Sequence, residues 1–399
     1  MLPIPEPIRG REPDTWAHST ITARLPEIGR RTLRENDCPA AVAARLEALI
    51  NDIPEAPLRL LRPDGAPDAA AWEGYTRPFR GQNWLEPPWF FVETYFYRRV
   101  LEATGYFAPG WGYGRDPFAY QKQQGLVASR TAVRRLSLEL QGWLDAGWQA
   151  ETFAQALALA LWGNQVDLSL WPADGAANPQ HSDLDAAAAH LLADDTTAVF
   201  THLAAHPQAR VDFLADNAGF ELIGDLGLAD YLLSSGAAGS VHLHLKLHPT
   251  FVSDARIQDV EATFAFLEGD ADAAVQRWGA RLRSHVGNGR LHLRAHPFWT
   301  SPLAFWELPD DLRADLRQAD LLISKGDANY RRLLGDRHWP FTTPFAAILA
   351  YAPAPLVALR TLKAELAAGL TAEQIARLNE TDAEWMVNGR WGVIQFAAN

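Results

Sequence analysis

The chain is short of cysteine, of net positive charge and of long apolar runs. Cys38 is the only cysteine in 399 residues, so neither an intramolecular disulfide nor a cysteine-ligated zinc site can form. Lys and Arg number 36 against 48 Asp and Glu, a formal net charge of −12. Nucleic acid and anionic membrane surfaces both demand a basic face, so neither is expected as a partner. The most apolar stretch, Ala156–Trp162, falls far short of the roughly 20 residues of a spanning helix. The opening residues MLPIPEPIRGREPDTW lack the apolar core of a secretory signal. A soluble, cytoplasmic protein is expected. Several motifs are missing as well. There is no G-x-S-x-G elbow, no H-E-x-x-H and no Walker A loop. No G-x-G-x-x-G follows the first strand of the α/β pattern, where a dinucleotide or methyl-donor site would place its glycines.

The composition is 48% hydrophobic and 21% charged, which is globular, and the fifteen Trp predict a large aromatic core. The first half has helical spacing. Trp89, Val92, Phe96 and Val100 recur at helical intervals behind Pro88. Glu93, Arg98 and Arg99 on that helix are expected on a charged outer face, or else one of them reaches toward a ligand. A polar, loop-like stretch, Pro172–Asp185, precedes a change of pattern. From there short β-type runs, at Arg210–Leu214, Val241–Leu247, Arg290–Arg294, Leu321–Ser324, Pro355–Thr361 and Trp391–Phe396, alternate with amphipathic helices. The expected fold is α/β, a mainly parallel sheet with helices on both faces, preceded by a helical N-terminal domain. The expected division is 1–204 helical and 205–399 α/β.

Open parallel sheets bind ligands at the carboxyl ends of their strands. The strand ends here carry Asp216-Asn217, then His248 to Asp254, then Lys325-Gly326-Asp327, then Arg360 to Lys363. Asp216 and Asn217 offer one charged and one neutral oxygen, a pair suited to a hard cation such as Mg²⁺ or Mn²⁺, in front of a helix N-terminus that favours an anion. Either could instead cap that helix. Asp254 could supply a third oxygen, or cap the next helix. His242, His244 and His248 alternate with apolar residues, which marks one face of a strand rather than a ligand set. Gly326 lets backbone approach a ligand. Lys325 is a compact charge suited to phosphate, with Asp327, Ala328 and Asn329 opening the next helix. Arg360 and Lys363 could aim at one anion from a strand edge, or be solvated on a turn.

Taken in order, RLPEI at Arg24–Ile28, LWGNQVDLSL at Leu161–Leu170, DNAGFEL at Asp216–Leu222, FVSD at Phe251–Asp254, SKGDANYRRLLGD at Ser324–Asp336 and RTLK at Arg360–Lys363 resemble the metal-dependent damage-control phosphatase family. The subfamily is the one marked by an R-T-x-K motif, whose members are also described as acidic-residue (protein-glutamate) methyltransferases. The resemblance runs over nearly the whole chain. It implies one divalent metal, Mn²⁺, Ni²⁺, Co²⁺ or Mg²⁺, held by Asp216, Asn217 and Asp254. It also implies a phosphate grip on Lys325, Gly326, Asp327, Ala328 and Asn329, and a methyl-donor contact at Glu221 if that activity exists. Thr250 stands where the family often has an aromatic residue. The function so implied is hydrolysis of small phosphomonoesters, such as fructose phosphates, in metabolite damage control, with Arg360 or Lys363 as a further phosphate contact. The alternative is an S-adenosylmethionine-dependent glutamate methyltransferase. The expected partner is a small phosphorylated metabolite, and a monomer is expected rather than an obligate oligomer.

Overall fold

The computed structural model describes residues 2–163 and 189–398. Most of the Leu161–Leu170 motif and the whole Pro172–Asp185 loop therefore lie outside the described residues. Among the described residues seven strands form one sheet: β1 (Leu191–Asp194), β2 (Ala209–Leu214), β3 (Ala238–Leu245), β4 (Leu291–Ala295), β5 (Leu321–Lys325), β6 (Leu356–Thr361) and β7 (Gly392–Ala397). Their order is β1-β7-β6-β5-β2-β3-β4. Every neighbouring pair is parallel except β6 with β7. The six strands expected from the sequence are present. β1 was not anticipated: it is a four-residue edge strand, too short to show a period of two. Because it pairs with β7, the sheet begins before residue 205.

The central strands are near-continuous apolar runs because both of their faces are covered. Successive side chains point to opposite faces. Leu322, Leu356 and Ala358 face a core built with Trp72, Trp84, Trp89, Tyr95 and Phe96 from the N-terminal helices. Leu321, Ile323, Val357 and Leu359 face a second core. The helices Arg130–Ala146, Ala150–Trp162, Phe220–Ser234, Ile257–Glu268 and Ala273–Gly287 build that side. The helical first part of the chain is thus shared between the two covering layers. Residues before about 118 lie on one face, and those from Val133 to Trp162 lie on the other.

One expectation fails in the helix Trp89–Thr104. It is buried nearly all round, so Glu93, Arg98 and Arg99 are not an outer face. Arg98 is fully buried between Asp64 (2.8 Å) and Asp68 (3.0 Å). Arg99 pairs with Asp52 and Glu102. Glu93 reaches Arg331 at 2.5 Å. Buried charges persist only where such partners exist. The partners are far away in sequence, so helical periodicity could not reveal them.

Candidate active site

β2 leaves the sheet into Asp216-Asn217, and the loop after β3 returns to meet it. Ala255 N donates to Asp216 O (2.7 Å) and Ala218 N to Ser253 O (2.7 Å), while Asn217 and Asp254 pair as an antiparallel bridge. This short ladder sets Asp216, Asn217 and Asp254 together at the carboxyl edge of the sheet. Phe251 (φ +46°) and Val252 (φ +66°) approach it in the left-handed region. For a phenylalanine and a β-branched valine that is backbone strain, of the kind that concentrates at functional sites.

The three side chains share a cavity of about 270 Å³ with Glu221, Gly326, Asp327, Ala328 and Lys363. Asn217 Nδ2 donates to Asp216 Oδ2 (2.9 Å) and to Glu221 Oε2 (3.0 Å), and Ser253 Oγ donates to Asn217 Oδ1. Asp216 Oδ1 is buried without a hydrogen-bond partner. Burial pushes the Asp216 carboxyl well above its usual range, and the neighbouring Glu221 and Asp254 add to the push. Burial also raises Asp254, against the pull of Lys246, whose Nζ lies 3.2 Å from Asp254 Oδ2. Lys122 Nζ fixes the same loop by donating to Asp254 O at 2.8 Å. Gly326, at φ +78°, closes the wall, where a Cβ would stand 1.9 Å from Asp216 Oδ2. An orphaned carboxylate oxygen among further oxygens, with crowded negative charge, fits a hard divalent cation better than a network complete in itself. Holding an ion would require the Asn217 amide to present its oxygen, and the two ends of a carboxamide are interchangeable in outline.

The phosphate-side residues divide. Gly326, Asp327 and Ala328 begin the helix Gly326–Leu334 and line the cleft, where the first-turn N–H groups have no intrahelical acceptor. Lys363 lines it too, and its ammonium has no hydrogen bond or ion pair among the described residues. The other three are held by partners, Lys325 while also lining the cleft, 3.8 Å from Glu221 Oε1 on its wall. Lys325 Nζ is buried against Ala160 O and 2.8 Å from Asp225 Oδ1, so its charge is already partnered. Burial carries Asp225 up to about 7 despite that lysine. Asn329 Nδ2 donates to Leu214 O, Ala215 O and Lys325 O, and its oxygen faces Lys246, so it braces β2 and does not line the cleft. Arg360, expected to aim at an anion, instead stacks on Tyr330 and donates to Asp327 Oδ1 (2.8 Å), Ala364 O and Leu366 O. It positions Asp327 and the following turn. Glu221 lies on the cleft wall through its bond from Asn217.

The histidines stay out of the cleft, as their alternation suggested. His244 Nε2 meets Asp212 (2.9 Å) and His248 meets Asp68 (3.3 Å). Asp212, His244 and Asp315 form a cluster whose ligand atoms lie within 4.8 Å of one another and could hold a metal. Arg210 already bonds both carboxylates, at 2.8 and 3.0 Å, which makes a cation there redundant. Sequence reasoning missed the roof of the cleft. Trp16, Arg24, Trp89, Glu93 and Tyr97, all from the N-terminal helical part, face the carboxylates from above. The RLPEI segment, which contains Arg24, was the available signal.

Fold and cleft together define a three-layer α/β protein with an acidic, oxygen-rich cleft at the carboxyl edge of a parallel sheet, roofed by N-terminal helices. The profile of the damage-control phosphatase ARMT1-like domain matches residues 20–378, and the chain belongs to that family. Similar curated proteins carry the name Damage-control phosphatase ARMT1. The zebrafish (Danio rerio) protein is 34% identical, with 100% of this chain and 98% of that one aligned. The rat (Rattus norvegicus) protein is 37% identical over 79% of this chain and 75% of its own. The human protein is 31% identical over 99% of both. Among solved structures, a DUF89 family protein from Pyrococcus horikoshii aligns over 93% of this chain and 95% of its own, with 12% identity and a TM-score of 0.47.

Proposed function

We propose that this protein is a metal-dependent phosphatase that hydrolyses small phosphomonoesters, sugar phosphates among them, in metabolite damage control. The supporting observation is the buried, unpartnered Asp216 Oδ1 beside Asn217 and Asp254, in a cavity that Lys363 and the start of the helix Gly326–Leu334 also line. One divalent ion, Mn²⁺, Co²⁺, Ni²⁺ or Mg²⁺, held by Asp216, Asn217 and Asp254 would neutralise charge that develops on the phosphoryl oxygens. Lys363 and the free N–H groups of residues 326–328 hold phosphoryl oxygens. Lys246 and Lys122 hold the Asp254 loop in place. The relatives' shared name supports the phosphatase activity. A cavity of about 270 Å³ suits a small metabolite. We place the protein in the cytoplasm as a monomer. A single cysteine suits a reducing compartment, and no helix among the described residues is long and apolar enough to cross a membrane.

The deciding experiment is a screen of fructose and glucose phosphates against the four metals, with Asp254→Ala alongside. Metal-dependent phosphate release, lost by orders of magnitude in the variant, is expected. Full activity in Asp254→Ala would remove the metal assignment. No release from any pairing, together with stoichiometric calorimetric binding of S-adenosylmethionine, would replace the phosphatase with the methyltransferase.

A further inference from the structure

The cleft poses a problem of charge. A phosphomonoester brings nearly two negative charges to a wall that already carries Asp216, Glu221, Asp254 and Asp327. Four cationic side chains line the cavity: Arg24, Lys325, Arg331 and Lys363. Two of them are spent. Lys325 is paired with Asp225, and Arg331 is locked in a fork to Asp336 (2.8 and 3.0 Å) and to Glu93. Arg24 has no hydrogen bond or ion pair among the described residues, and neither does the Lys363 ammonium. The two available cations, both exposed, therefore line the cavity from different layers, Lys363 from the sheet edge and Arg24 from the roof.

The local fold of Arg24 supports a role beyond that of a surface charge. It ends a five-residue π-helical turn, Thr20–Arg24, inserted between the α-helical segments Trp16–Ser19 and Leu25–Glu35. A π turn breaks the 3.6-residue register and re-aims the side chain that follows it, and such turns recur at functional sites. Ile21 and Leu25 are fully buried, while Arg24 between them is exposed and lines the cleft.

Tyr97 supplies an independent observation. Its ring is packed between Phe118 and Phe251, and the residue is only 2% exposed. Yet its hydroxyl lines the cavity and has no hydrogen-bond partner among the described residues. An O–H that opens onto a cleft with no protein partner is free to donate to a ligand there. Burial pushes the Tyr97 phenol up, against the pull of Arg24, so the hydroxyl keeps its proton and can donate.

We infer that Arg24 and Tyr97 are the roof half of the phosphoryl-binding site, the Arg24 guanidinium pairing with phosphoryl oxygens opposite Lys363 and the Tyr97 O–H donating to the same group. This rests on the phosphatase reading and assigns part of its oxyanion recognition to the helical layer. A planar guanidinium is suited to hold two oxygens at once, which a lysine cannot do.

The test uses the full-length protein loaded with Mn²⁺ and two ligands, inorganic phosphate by calorimetry and a fructose phosphate by turnover. Tyr97→Phe keeps the ring contacts and removes only the hydroxyl. It should weaken phosphate binding and lower kcat/KM by roughly 10-fold or more. Arg24→Ala should cost roughly 100-fold in kcat/KM, with Arg24→Lys between it and the wild type. Manganese affinity measured without phosphate should stay within about twofold in all three, which separates ligand contact from damage to the metal site. Phosphate affinity and kcat/KM near wild type in both Tyr97→Phe and Arg24→Ala would overturn the inference and leave the phosphatase standing. If the wild type releases no phosphate from any ester, the phosphatase reading fails, and phosphate binding still decides this one. Weaker binding in the variants supports an anion site at Arg24 and Tyr97, whereas equal or absent binding throughout overturns it.

Discussion

Gly326→Ala isolates the geometry of the carboxylate wall. Two costs are expected, and they can be separated. Gly326 has φ +78°, so alanine pays about 1–2 kcal/mol for the left-handed backbone. The new Cβ would also stand 1.9 Å from Asp216 Oδ2 and 2.3 Å from its Cγ, against an ordinary contact of 3.4 Å or more. Asp216 must therefore retreat by about 1.5 Å, or the start of the helix Gly326–Leu334 must shift by as much. Misplacement by about 1 Å can cost about 100-fold in rate. Gly289→Ala is the control, since Gly289 also has positive φ (+66°) but nothing lies within 4 Å of its would-be Cβ. Both variants should lose the backbone term in thermal melts, and Gly326→Ala should lose more because of the clash. Only Gly326→Ala should lose metal affinity, by at least about 10-fold, and turnover, by about 100-fold. If Gly326→Ala binds Mn²⁺ and turns over like Gly289→Ala, the close approach of Gly326 to Asp216 has no bearing on function, and the site is misassigned.

Other substitutions probe the charges behind the cleft. Lys325→Met strands the Asp225 carboxyl and should lower unfolding free energy by about 3 kcal/mol in urea titrations. Adding Asp225→Leu should recover most of that loss, and no recovery would mean the pair is not what the lysine serves. Arg360→Lys loses the fork that holds Asp327 and the 364–366 turn and should destabilise by about 2 kcal/mol, with phosphate affinity changed only a few-fold. A large selective loss of phosphate affinity would return Arg360 to the anion site. Burial raises the Asp68 carboxyl, but hydrogen bonds from His248 and Arg98 outweigh it and hold it at about 2 instead of 3.8. That depressed value contributes about 2 kcal/mol, present in full above pH 3.8 and lost as pH falls through 2. Asp68→Asn should therefore flatten the acid limb of stability measured by denaturant titration between pH 5 and 2, and an unchanged limb would contradict the assignment.

Much of the site was legible because parallel sheets enforce it. A strand buried on both faces must be apolar along its length, so its end shows as the first polar residues, and Asp216-Asn217 and Lys325-Gly326 stand at such ends. The meeting of Asp254 with Asn217 followed from the adjacency of β2 and β3, although the ladder that joins them could not be read from spacing. What the sequence hid was the state of each charge. Lys325 and Arg360 look like phosphate ligands until Asp225 and Asp327 are seen to hold them. Glu93, Arg98 and Arg99 look like solvated residues until Arg331, Asp68 and Asp52 are found against them.

The hidden pairings also explain why the roof was missed. Helical periodicity sorts residues into buried and exposed stripes, and a cleft between layers belongs to neither. Arg24 would be assigned to solvent and Tyr97 to the core, yet both line the same cavity. The fork from Arg331 to Glu93 and Asp336 ties the roof helix Trp89–Thr104 to the helix that starts at Gly326. Phe90 N also donates to Asp336 Oδ2 at 3.0 Å. Roof and carboxylate wall are therefore held in fixed register by buried charge, whose partners cannot separate without leaving ions unpaired in the interior. A cleft braced in this way keeps Glu93 and Tyr97 of the roof helix in place over the start of the helix Gly326–Leu334 before any ligand arrives, so binding there pays little for reorganisation.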